Sequence, residues 1–274
     1  MKIKGLGLVL AIFVVFLVIS WTFATTSLAA IQRQYLQWNY FSHIIMVVLA
    51  VGAIAIGKRD FASYGFTLRK WRSDLSVALI CLISAAGYIP SLVSPSFAGN
   101  NLINTLFMIA AVLLALWLVL NKKNEGTAKE SGVRMFWPII SIPAIIAIVV
   151  GIVGFGAIAS TIVFQFYFAG FGEEILFRGY FQSRLNQDFG RPWTIKGVSF
   201  GPGLLITSAL FGVLHMLNPF NPLMGEFGLD LLWGISSFFA GLLFGFLREK
   251  TGTVLSASLG HGLLDLGQII PLLF

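Results

Sequence analysis

The stretch FGEEILFRGYFQ, residues 171–182, places Glu173, Glu174 and Arg178 within six residues of one another inside a strongly apolar chain. Charged side chains at membrane depth are costly and mark a function or a tightly satisfied pair. Glu174 and Arg178 are spaced i,i+4 with the acid first, the favourable order for an ion pair on one helix face. Glu173 is turned by about 100° from its neighbour on an α-helix, so it must find its partner on another helix. Two later stretches repeat the i,i+4 pattern: FGVLH pairs Phe211 with His215, and HGLLD pairs His261 with Asp265.

Counting at the helical rise from the loop edges on the expected cytoplasmic side puts Glu173 and His215 roughly 16 Å deep, and His261 roughly 12 Å. Three helices thus bring a carboxylate and two imidazoles to similar depth. A carboxylate in a low-dielectric pocket is suited to take a proton from water, and an imidazole beside it orients that water. A second imidazole with a polar neighbour can donate to the oxyanion of a tetrahedral intermediate. Glu173, His215, His261 and Asp265 could therefore hydrolyse an amide. Glu173, His215 and His261 could instead hold zinc with water in its open position. No HExxH helix and no GxSG segment is present, and only Asp265 of the aspartates is well inside a span. His43 begins its apolar run without an acidic sequence neighbour and is assigned an interfacial or structural place.

The elements that carry these residues follow from composition. Hydrophobic residues make up 57% of the 274-residue chain and charged residues 11%, less than half the share usual in a soluble domain. The pattern predicts an all-α, polytopic bundle of eight or nine transmembrane helices with an intramembrane site. The expected spans are about 5–31, 40–57, 75–94 and 101–120, a fifth from Met135 to a break at Gly151–Gly156, a sixth from Ala157, then 204–218, 229–247 and 253–273. The run 5–31 is read as a retained first helix rather than a cleaved signal.

Net charge is +7, yet its distribution speaks against nucleic acid. Lys and Arg cluster in loops 57–74, 121–134, 184–196 and 248–250, while the alternate loops hold only Arg33. By the positive-inside rule the N-terminus and the basic loops face the cytoplasm. Cys81 lies in an apolar run and is the sole cysteine, which excludes an intrachain disulfide. No internal repeat of the kind common in secondary transporters is found.

EExxxR at 173–178, FxxxH at 211–215 and HxxxD at 261–265, in this order on late helices, resemble the CPBP family. That family comprises type II CAAX prenyl endopeptidases and bacteriocin-processing or immunity proteins. FRGYFQSRL extends the likeness, which covers 135–274 as a protease domain and leaves 1–134 as a variable set of transmembrane helices. The resemblance implies a glutamate-type intramembrane endopeptidase without a required cofactor. Glu173 and His215 would activate water, His261 and residue 265 would form the oxyanion hole, and Glu174 and Arg178 would support the site. The last motif often ends in Asn, and Asp265 departs from it. An ionised Asp cannot donate to an oxyanion, so Asp265 is protonated or orients His261.

The expected substrate is a membrane-associated peptide or lipidated protein, including a prenylated one, reached from the cytoplasmic side of the cell membrane. Immunity or partner binding without catalysis, and proton-coupled transport, are the alternatives.

Overall fold

A computed structural model describes residues 2–36, 38–68, 70–93, 101–123 and 157–272. The expected fifth span, its glycine break and the linker 124–134 lie outside these residues. Helix α1 (Lys2–Ala24) opens the chain and is followed by α2 (Ser27–Leu36) and α3 (Tyr40–Ile56). The expected single run to residue 31 is interrupted because hydroxyls compete for backbone carbonyls: Thr25 donates to Thr22 and Thr26 to Phe23, at 2.8 and 2.7 Å. Residues Ser27–Tyr35 then bend 115° away from the axis of α3.

Helix α4 (Trp71–Ala78) tightens into a 3-10 winding over Leu79–Tyr88. Helix α5 (Leu102–Asn121) starts at Asn101, whose side chain accepts from the Asn104 amide. The central helix, α6, runs continuously over 157–189 and ends at Gly190, where φ is 72°. Through Val163–Glu173 and Ile175–Gln182 its winding is of the wider π type, which is frequent at functional sites. A hairpin of β1 (Trp193–Ile195) and β2 (Val198–Phe200) leads to α7 (Pro202–Met216), with proline in the first turn. A second hairpin, β3 (Phe220–Asn221) with β4 (Glu226–Phe227), leads to α8 (Leu231–Thr251) and α9 (Val254–Asp265).

Among the described residues three helices are long and apolar enough to cross a bilayer, Lys4–Ala24, Leu102–Asn121 and Leu231–Thr251, and a fourth span is reached if the bent pair Ser27–Tyr35 and Tyr40–Ile56 counts as one. The count of eight or nine is not reached among the described residues. Helix α7 has 15 residues, about 22 Å at the helical rise, and α9 changes winding at Leu266. Exposed Val14, Val18, Val48, Leu106 and Trp117 form the apolar exterior expected of a protein surrounded by lipid.

Two glycines let neighbours crowd onto α6. A Cβ on Gly172 would lie 3.0 Å from the His43 Cβ on α3, and one on Gly170 would lie 2.9 Å from the Ser258 carbonyl on α9. Small residues of this kind allow membrane helices to approach backbone to backbone. They bring α3 and α9 against α6 where its two glutamates stand.

Candidate active site

The adjacent glutamates divide their contacts between two sides of α6. Glu174 is fully buried; its Oε2 accepts from Arg178 Nε at 3.0 Å, and its Oε1 lies 3.1 Å from His261 Nδ1. Arg178 Nη1 also donates to Thr207 Oγ1 at 3.1 Å and Gln182 Oε1 at 3.3 Å. Its guanidinium lies 5.5 Å from the centre of the Phe211 ring, and Gly241 leaves room beside it. This is the i,i+4 pair read from the sequence, with a histidine added across helices.

His261 has a carboxylate at each nitrogen, because Nε2 is 3.2 Å from Asp265 Oδ2. Carboxylate oxygens accept, so each contact needs a proton between its two atoms. The ring is stacked on Phe244, with centroids 4.6 Å apart, and meets the edge of Phe211. Sequence spacing aimed Glu173 toward both later histidines. In the fold His261 belongs to Glu174, because α9 packs on the Gly170 side of α6.

Glu173 faces a cavity of about 800 Å³ that is also lined by His43, Phe211, His215, His261 and Asp265. Its Oε1 is 3.2 Å from His43 Nε2. Its Oε2 has no hydrogen-bond partner in the protein and lies 3.8 Å from His215 Nε2. That separation exceeds direct hydrogen-bond reach and suits one bridging water. His215 Nδ1 donates to the Phe211 carbonyl at 2.9 Å, which leaves Nε2 of the neutral ring as an acceptor. Two acceptors then face the same point, where a water could donate a proton to each.

Four of the sequence-derived residues, Glu173, His215, His261 and Asp265, therefore meet on one cavity, with Phe211 in its wall and Glu174 and Arg178 behind it. His43 was missed. The chain has three histidines and all of them line this cavity, so the scarcity of histidine in so apolar a chain was itself the signal. His43 comes from α3, and its ring packs edge-on against Phe164. The zinc alternative needs Glu173, His215 and His261 to converge. Both nitrogens of His261 instead face carboxylates, and among the described residues no three His, Cys, Asp or Glu side chains form a metal-holding group.

The cavity is also lined by the exposed residues Arg33, Asn218 and Glu226. Three of the site residues stand at helix ends: His43 is in the first turn of α3, His215 in the last turn of α7, and Asp265 is the last residue of α9.

No curated protein and no solved structure matches the chain. A family model does, the one described as type II CAAX prenyl endopeptidase Rce1-like, over residues 155–267. The matched segment holds both glutamates, Arg178, His215, His261 and Asp265, whereas His43 lies outside it. Apolar helices packed around a buried glutamate and histidine cluster thus coincide with the segment, residues 155–267, that is similar to the Rce1-like, type II CAAX prenyl endopeptidase family of membrane proteases.

Proposed function

We propose that this protein is a multi-pass, glutamate-type intramembrane endopeptidase that hydrolyses a peptide bond of a membrane-associated polypeptide without a resident metal. The observation that carries the reading is the unpartnered Glu173 Oε2, buried on the cavity and 3.8 Å from His215 Nε2. A water between them gives one proton to Glu173 as its oxygen attacks the scissile carbonyl, while His215 accepts its other hydrogen bond and sets its orientation. Glu173 then passes the proton to the leaving amine. His43, at the second oxygen of Glu173, holds the carboxylate in this rotamer.

The opposite wall supplies the oxyanion site. His261 Nε2–H donates to Asp265 Oδ2 across their 3.2 Å contact, and a second proton, carried by the other oxygen of Asp265, donates to the developing negative charge. Glu174 and Arg178 fix His261 from behind. Exclusion of water around the pair strengthens each of these interactions.

The test is cleavage of membrane peptides by the full chain in proteoliposomes, with products read by mass spectrometry. Glu173→Gln and His215→Ala are each expected to lower turnover by about 10²–10⁴-fold while helicity and gel-filtration behaviour persist. Undiminished cleavage by both folded variants would sink the reading.

A further inference from the structure

Tyr88 closes the 3-10 winding that follows α4, and it stands outside the segment that matches the family model. Its half-buried ring packs against Gly267, two residues beyond Asp265, where any side chain on the glycine would fall into the ring. Gly87 beside it brings the winding onto α5: a Cβ there would lie 2.7 Å from the Met108 Cα. The Ser91 hydroxyl donates to the Tyr88 carbonyl at 2.6 Å and ties down the backbone that follows. These contacts fix a phenol on the wall of the cavity that Glu173, His261 and Asp265 also line.

The polar surroundings give that phenol a direction. Gln165, buried on α6, donates from Nε2 to Gln268 Oε1 at 2.7 Å. Gln268 is in turn hydrogen-bonded to the Tyr88 side chain. With the Gln268 oxygen taken by Gln165, its NH2 group is the donor and Tyr88 Oη the acceptor. Donation thus runs one way along Gln165, Gln268 and Tyr88, and each bond polarises the next. The last proton of the series sits on Tyr88 Oη, and Asp265 lies within electrostatic reach of it. A ring that only filled space would need neither amide.

We propose that Tyr88 is a further catalytic residue, whose O–H donates to the oxyanion beside the Asp265 proton, with Gln268 and Gln165 as its positioning residues. The role rests on the endopeptidase reading. Tyr88 makes no covalent bond: it gives a hydrogen bond as the scissile carbonyl oxygen gains charge, and keeps its proton when the carbonyl re-forms. The aspartate at 265 gives such a donor a purpose. A phenol holds its proton through the neutral range, so one donor stays in place whichever way Asp265 is protonated.

The test measures kcat and KM for membrane-peptide cleavage by the full chain in proteoliposomes, with helicity as the check on folding. Tyr88→Phe removes one oxygen and keeps the ring on Gly267. It is expected to lower kcat about 10²-fold with KM within about 2-fold, the loss typical of one oxyanion donor. Gln268→Met leaves the hydroxyl without the amide that orients it. That variant is expected to lose about 5-fold in kcat, and nothing further once Tyr88→Phe is present. A folded Tyr88→Phe with unchanged kcat would overturn the proposal, as would equal losses from Gln268→Met with and without the tyrosine. If Tyr88→Phe does not fold, Gln268→Met decides: a lower kcat at constant KM supports the proposal, and an unchanged kcat overturns it. A wild-type chain that cleaves no peptide sinks the endopeptidase reading itself, whereas cleavage indifferent to Tyr88→Phe sinks only the role of Tyr88.

Discussion

Asp265 and His43 are the two residues at which this site departs from the sequence pattern. Asp265 Oδ2 is 3.2 Å from His261 Nε2, so Asp265 can donate to an oxyanion only while its other oxygen carries a proton. An asparagine amide donates without that condition. Asp265→Asn is accordingly expected to keep turnover within a few-fold, whereas Asp265→Ala should lose about 10²–10³-fold, measured as kcat in proteoliposomes. His43 acts through Glu173 rather than on substrate. His43→Ala is expected to lower kcat by about 10-fold with little change in KM, the mark of a misplaced general base. His43→Gln, whose amide can donate to the same Glu173 oxygen, should recover part of the loss. Equal defects in the two variants would mean that His43 only fills space.

At the scale of elements, the site depends on how closely α3 and α9 approach α6. Gly172 touches His43 and Gly170 touches α9, so each glycine sets the reach of one histidine to one glutamate. Gly172→Val would place branched carbons where the His43 Cβ already lies 3.0 Å from a single added methyl. The expected result is a loss of about 1–3 kcal/mol in unfolding free energy, read from denaturant melts in detergent, together with a kcat below that of His43→Ala. The i,i+4 pairs on α6, α7 and α9 were legible in sequence because they are properties of one helix. Which glutamate meets which histidine was not, because it depends on the side of α6 that each neighbour occupies. The π-type winding of α6 was equally hidden, since no single residue specifies it.

For the whole molecule, the site is not confined to the segment that matches the family model. Residues 155–267 contain the three motifs, but His43, Ser42 and Asn39 of the cavity come from the start of α3. Trp38, just before α3, stacks on Phe164 of α6 at 4.6 Å, and Tyr40 packs edge-on against Phe168. A chain beginning at residue 101 is therefore expected to lack activity even though it retains the matched segment. Co-expression of residues 1–100 should restore it, with cleavage of the membrane peptide as the readout. The same long-range packing builds a buried layer in which Tyr64, from before α4, stacks on Tyr180 of α6, Leu204 of α7 is fully buried, and Gln182 of α6 donates to Glu249 of α8.

By itself the sequence determined that this chain belongs in a bilayer, which of its ends is basic, and which three short motifs carry the polar groups. These follow from local composition and helical periodicity, both readable one segment at a time. Tertiary structure alone decided that His43 joins Glu173 and that His261 serves Glu174. The physical reason is that each of these depends on contacts between helices distant in sequence. Glycine-permitted approach and the packed aromatic layer set those contacts, and neither leaves a periodic trace along the chain.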